Sequence, residues 1–140
     1  MAIRTAAAIW EGSIKEGKGK MRFGSGAYEG AYSWHSRFAE EKGTNPEELI
    51  GAAHAGCFSM ALSDILTDAN HIPEKIETTA KVHLGNGPKI TLIELSTRAE
   101  VPGIDEKLFL ELAEKAKAGC PVSQALAAVE ITLDAMLLKS

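Results

Sequence analysis

The stretch from Gly43 to Leu66, GTNPEELIGAAHAGCFSMALSDIL, constrains the fold of this chain more than any other. Its opening carries two overlapping helix-start signals. Thr44 with Glu47 fits a capping box, and Asn45 followed by Pro46 fits an N-cap with proline in the first turn. From Leu49 onward nearly every residue is apolar or small, on all sides of a helical wheel. A helix that is apolar all round is a buried one. Twenty or so residues, at about 1.5 Å each, cross most of a small domain. An unbroken apolar run of about that length would suit a membrane. Here His54, Ser59, Ser63, Asp64 and Asp68 interrupt it, so the stretch predicts the core helix of a soluble protein. Cys57 lies in its middle.

The flanking segments read as strands and shorter helices. Ile3–Trp10 is a weakly alternating strand, Gly12–Gly19 a charged hairpin loop, and Lys20–Phe23 a short second strand. Ala31–Phe38 reads as a third strand, with Tyr32, Trp34 and Phe38 alternating with Ser33 and His35 and with Arg37 on the opposite face. Beyond the helix, Lys75–Leu84 alternates cleanly, Gly85-Asn86-Gly87-Pro88 turns the chain, and Ile90–Val101 returns as a long strand. Asp105 caps a helix that runs to Gly119. Cys120-Pro121 opens a short one, and Glu130–Leu138 closes as a strand. The sum is an α+β fold, mostly antiparallel in its sheets, packed around a long buried central helix. At 140 residues the expectation is one domain, 1–140.

Charge and cysteine usage exclude several classes of function. A net charge of -4, with no Lys/Arg cluster interleaved with aromatics, argues against a nucleic-acid binder. The opening Met1-Ala-Ile-Arg-Thr lacks the features of a secretory signal, which sets the expectation of a cytoplasmic location and no membrane attachment. Two cysteines are too few for a disulfide scaffold; in a reducing compartment such a pair is free, catalytic or redox-active. The competing reading is two buried hydrophobes that happen to be cysteine. Cys120, before Pro121, sits at a helix start, where N–H groups stabilise a thiolate. Whether it meets Cys57 is not readable from spacing. His54, one turn before Cys57, raises the thought of zinc, but no close ligand pair of the usual spacing exists, so no metal or cofactor is expected. His54 is expected to be packed and hydrogen-bonded instead.

Three segments in order, Gly43–Leu49, His54–Leu62 and Ala118–Gln124, resemble the OsmC/Ohr family of osmotically inducible and organic hydroperoxide resistance proteins. The resemblance spans nearly the whole chain, and Glu130-Ile131-Thr132-Leu133 is closer to the OsmC branch. It implies an OsmC-like fold, an intertwined homodimer with sites at the subunit interface, and thiol-dependent reduction of organic hydroperoxides. It also implies an external dithiol reductant of the dihydrolipoyl type, such as a lipoylated protein carries. By motif, Cys57 would be the peroxidatic cysteine, Cys120 the resolving one, Arg37 the arginine that holds the thiolate and Glu47 the carboxylate that orients it. One departure is Gly56, where the family usually has alanine; it implies a slightly looser helix. A rival from another class is a non-enzymatic stress-response module that holds an apolar ligand and uses the cysteines as a redox switch.

The chemistry itself asks for such groups. A thiol of ordinary pKa is only about 3% thiolate at neutral pH, and burial in an apolar helix makes that worse. Cys57 lies about 15 Å from its own helix start, beyond the reach of the dipole. A cation is needed, and Arg37 is the candidate. Glu47 and Cys57 are ten positions apart, again about 15 Å in one straight helix, which is too far for one arginine head to touch both. Either regular helix begins after Glu47, or the two residues of one site come from different chains. An apolar surround of Phe58, Met60, Leu62, Trp34 and Ile50 favours alkyl or fatty-acid peroxides over hydrogen peroxide.

Overall fold

The computed structural model describes residues 1–138, which divide into two compact units, Met1–Leu49 and from Ile50 onward. In the first, β1 (Ala6–Glu11), β2 (Lys18–Phe23) and β3 (Glu29–Tyr32) form an antiparallel meander. Trp10 and Tyr32, on the outer strands, approach each other across Gly19 on the middle one, with ring centroids 5.5 Å apart. A Cβ on Gly19 would lie 2.7 Å from the Trp10 ring, so only glycine lets the two aromatics close over β2.

The third strand is shorter than the alternation predicts. It stops at Tyr32, and residues Trp34–Phe38 form a helix, α1. The cause is local. Ser33 accepts from the Ser36 N–H at 3.0 Å, and the Ser36 hydroxyl oxygen accepts from the Ser33 N–H at 2.8 Å, a reciprocal capping box. A second hydrogen bond from Ser36 Oγ to the Thr44 carbonyl, 2.8 Å, ties α1 to the following segment. Trp34 and Phe38 then stack one turn apart, centroids 5.4 Å, rather than lying side by side on a strand, and Phe38 is exposed.

The long helix α2 runs unbroken from Pro46 to Asp68, through Gly56. Asn45 is its N-cap: Oδ1 accepts from the Glu48 N–H at 2.8 Å. The alternative box between Thr44 and Glu47 does not form; the Thr44 hydroxyl donates to Glu48 instead, at 3.1 Å.

In the second unit β4 (Lys75–Gly85) and β5 (Lys89–Glu100) make a long hairpin, and β6 (Glu130–Leu138) lies parallel to β5. A parallel neighbour requires a crossover of a dozen or more residues. That crossover is α3 (Glu106–Gly119) and α4 (Pro121–Ala125). Asp105 caps α3, its Oδ2 accepting from the Leu108 N–H at 3.2 Å. The core takes Phe58, Leu62 and Leu66 from one stripe of α2, Ile93, Leu95 and Ala99 from alternate positions of β5, and Phe109, Ala113 and Ala116 from α3. By length and composition α2 could also cross a membrane, yet this stripe is packed against sheet and helix. Within the chain only 28% of its most apolar window is buried, and Met60 is 77% exposed. The burial that its all-round apolar composition predicts is therefore met on one side only.

Candidate active site

In the second unit, α2 brings Cys57 and α4 brings Cys120 to one place, with sulfurs 3.0 Å apart and both thiols free. Cys57 is half-buried and Cys120 fully buried. Cys120 occupies a corner: it is the C-cap of α3 and the N-cap of α4, with Pro121 fixing the first helical position. Its sulfur accepts from the Ser123 N–H at 3.5 Å.

The two sulfurs share one proton-bearing contact, and their surroundings decide where the charge falls. Burial pushes the Cys57 thiol above its ordinary value, and the neighbouring Cys120 raises it further, against a smaller pull from the Val122 N–H. Burial opposes ionisation of Cys120 as well. There the hydrogen bond from Cys57 and those from Ser123 outweigh it, and its pKa is lowered. Left to this unit alone, Cys57 resists ionisation more than Cys120 does. An attacking thiolate at Cys57 needs a cation from elsewhere.

His54 is packed and hydrogen-bonded, as its position predicts. It is fully buried, with Nε2 2.7 Å from Ser123 Oγ, and burial lowers its pKa. Among the described residues its Nδ1 has no hydrogen-bond partner. Ser123 is not singled out by the sequence reading, although a residue three positions after an N-cap is placed to bond back to it. Among the described residues no cluster of three His, Cys, Asp or Glu is arranged to hold a metal ion. Of the apolar surround, Phe58 and Leu62 are core residues with no exposed surface, whereas Met60 lies open.

In the first unit, Arg37 on α1 and Glu47 in the first turn of α2 form a forked ion pair. Nε donates to both carboxylate oxygens at 3.0 and 3.2 Å, and Nη2 donates to Oε1 at 2.7 Å. Glu47 is buried and Arg37 about one-third exposed. These bonds use one edge of the guanidinium and leave the Nη1 hydrogens outside the pair. The Phe38 ring lies under the guanidinium at 5.4 Å. Because Asn45 supplies the cap, Glu47 is not spent on helix capping. The head of Arg37 is thus fixed in direction as well as in place.

The four expected residues fall into two pairs, Cys57 with Cys120 and Arg37 with Glu47, each built within its own unit. The family described as OsmC-like protein matches residues 39–134 of this chain. Over 134 residues the chain is 55% identical to peroxiredoxin OsmC of Escherichia coli (strain K12), covering 93% of each. It is 33% identical over 93 residues to an organic hydroperoxide resistance protein of Xanthomonas axonopodis pv. citri, covering 65% of this chain and 66% of that one. Among solved structures, an OsmC-like protein from Mycoplasma pneumoniae matches with a TM-score of 0.77 over 99% of both chains; at 13% identity this is a likeness of fold.

Proposed function

The chain belongs to the OsmC-like protein family, and from that premise we propose that it is a cysteine-based peroxidase that reduces organic hydroperoxides to alcohols. The observation that carries the reading is the pair of free thiols with sulfurs 3.0 Å apart. The Cys57 thiolate attacks the terminal peroxide oxygen, the O–O bond breaks, and the alkoxide takes up a proton and leaves as the alcohol. Cys57 is left as a sulfenic acid. The Cys120 sulfur then attacks it, a disulfide forms and hydroxide leaves as water. An external dithiol of the dihydrolipoyl type, such as a lipoylated protein carries, returns the disulfide to two thiols by exchange and becomes a disulfide itself.

Arg37 is the cation that Cys57 lacks in its own unit. Because α2 is regular from Pro46, the option that helix begins after Glu47 falls away. Ten residues of helix climb about 15 Å, more than one guanidinium spans. We therefore place the Arg37–Glu47 pair of one chain beside Cys57 of a second, in a homodimer of single OsmC-like domains. The apolar side that α2 leaves open, Met60 included, supports a second chain covering it. Free thiols suit the reducing cytoplasm, where we locate the protein.

Turnover tests this reading. With an excess of cumene hydroperoxide and dihydrolipoamide, the protein is expected to consume many equivalents of peroxide per chain. Oxidation that runs once and stops would instead make the cysteines a redox switch.

A further inference from the structure

His54 is a buried, neutral histidine that the first half of this cycle does not use. It lies on α2 one turn before Cys57, and among the described residues its one hydrogen-bond partner is Ser123, at 2.7 Å. Ser123 is itself buried, and its N–H already points at the Cys120 sulfur. A buried line therefore runs from His54 through Ser123 to Cys120 and on to Cys57.

The orphaned Nδ1 decides the direction of the hydrogen bonds along that line. If Nε2 accepted from Ser123, the proton on Nδ1 would be a buried N–H donor with no acceptor, among the rarest and costliest arrangements in proteins. If Nε2 carries the proton, only a lone pair on Nδ1 goes unmet. The second tautomer is the cheaper one. In it, Nε2–H donates to Ser123 Oγ and occupies that oxygen as an acceptor. The Ser123 hydroxyl hydrogen is then left free to donate, beside the sulfur that its own backbone N–H faces and whose pKa its side chain lowers.

We propose that His54 is a positioning residue for the disulfide-forming step: through Ser123 it holds a hydroxyl donor on Cys120 while that sulfur attacks the sulfenic acid at Cys57. The inference rests on the peroxidase reading. In the step, the Cys120 S–H bond breaks, the S–S bond forms as the Cys57 S–O bond breaks, and the departing hydroxide takes that proton to leave as water. The peroxide already consumed is the only oxidant required. Two donor sets thus serve two sulfurs in turn, the Arg37 guanidinium at Cys57 for peroxide cleavage, then Ser123 with His54 at Cys120 for resolution. The titratable group facing Cys120 in this arrangement is Cys57 from α2, so it is removed in the test.

In a Cys57→Ser background, ionisation of Cys120 is followed by ultraviolet thiolate absorbance against pH, with Cys57→Ser/Cys120→Ser as the blank. Adding His54→Leu or Ser123→Ala is expected to raise the midpoint by about one unit, a roughly tenfold loss of thiolate at neutral pH. His54→Gln keeps an amide N–H near the position of Nε2–H and should stay close to the parent. In chains with both cysteines, a pulse of cumene hydroperoxide should show disulfide formation slowed about tenfold by His54→Leu and largely restored by His54→Gln. Identical titrations in parent, His54→Leu and Ser123→Ala would overturn the proposal, as would a Gln variant as impaired as the Leu one. A shifted titration without any peroxide-driven sulfenic acid at Cys57 would leave the contact to Cys120 standing and remove the peroxidase reading, so the two failures are distinguishable.

Discussion

The Cys57 and Cys120 sulfurs lie 3.0 Å apart, presented from two different helices, with the Cys57 thiol pushed up by burial and the Cys120 thiol lowered by its hydrogen-bond partners. A disulfide bond is about 2.05 Å long, so closing it asks for an approach of about 1 Å. That is within the reach of side-chain rotation and small helix adjustments. The same surroundings oppose a thiolate at Cys57, which is why the proposed cycle needs Arg37.

Arg37→Ala should lower the rate of peroxide reduction by about 10²–10³-fold. The loss is not one of ionisation alone. Full ionisation of an ordinary thiol gains about 30-fold at neutral pH, but a thiolate of low pKa is also a weaker nucleophile by a similar factor. In the proposed mechanism the guanidinium therefore also donates to the peroxide oxygens in the transition state. Stopped-flow rates for the variant at about pH 9–10, where an unassisted thiol ionises, should stay well below wild type. Complete recovery there would reduce Arg37 to an ionising charge.

Subunit complementation tests the cross-chain site. Arg37→Ala and Cys57→Ser are each expected to be inactive as homodimers. Refolded together in equal amounts, half the dimers are hybrids with one intact site, so about a quarter of wild-type activity should return. If Arg37 served the Cys57 of its own chain, the mixture would stay inactive.

His54 links stability to pH. Its pKa is lowered by burial below the ordinary 6.5, so the unfolded chain binds the proton more readily than the folded one. Its contribution is complete above 6.5 and is lost as pH falls below that value toward the folded pKa. Urea midpoints should fall between about pH 7 and 5, and fall less in His54→Gln. An equal fall in both would assign the acid sensitivity to other groups.

Gly56 lies in the regular interior of α2, and a Cβ there would meet nothing within 4 Å among the described residues. Gly56→Ala is expected to stabilise by about 0.5–1 kcal/mol, seen as a higher denaturant midpoint. Phe58→Ala, two residues on and with no exposed surface, should cost about 3–5 kcal/mol in the same assay.

Much of this architecture was legible in the sequence, because single strong signals decided it. Asn45-Pro46 placed the start of α2, the Gly85–Pro88 turn placed the hairpin, and Asp105 capped α3. The segment around Arg37 reads as a strand yet folds as a helix, because Trp34 and Phe38, four apart, satisfy the period of either equally. The deciding signal was Ser33 with Ser36, a reciprocal cap spelled with two serines rather than the usual acidic partner. Thr44 misled for a related reason: two capping patterns overlapped by one residue, and only the structure shows that Asn45 prevails and releases Glu47 to Arg37. The sulfur pair and the His54–Ser123 bond join residues 63 and 69 positions apart, and chain spacing carries no information about such contacts.

The most direct test of the two-cysteine cycle is a thiol count before and after one equivalent of cumene hydroperoxide, on wild type and on Cys120→Ser. Wild type is expected to lose both thiols to a disulfide, while the variant holds a trappable sulfenic acid at Cys57. Survival of both wild-type thiols after equimolar peroxide would contradict that cycle.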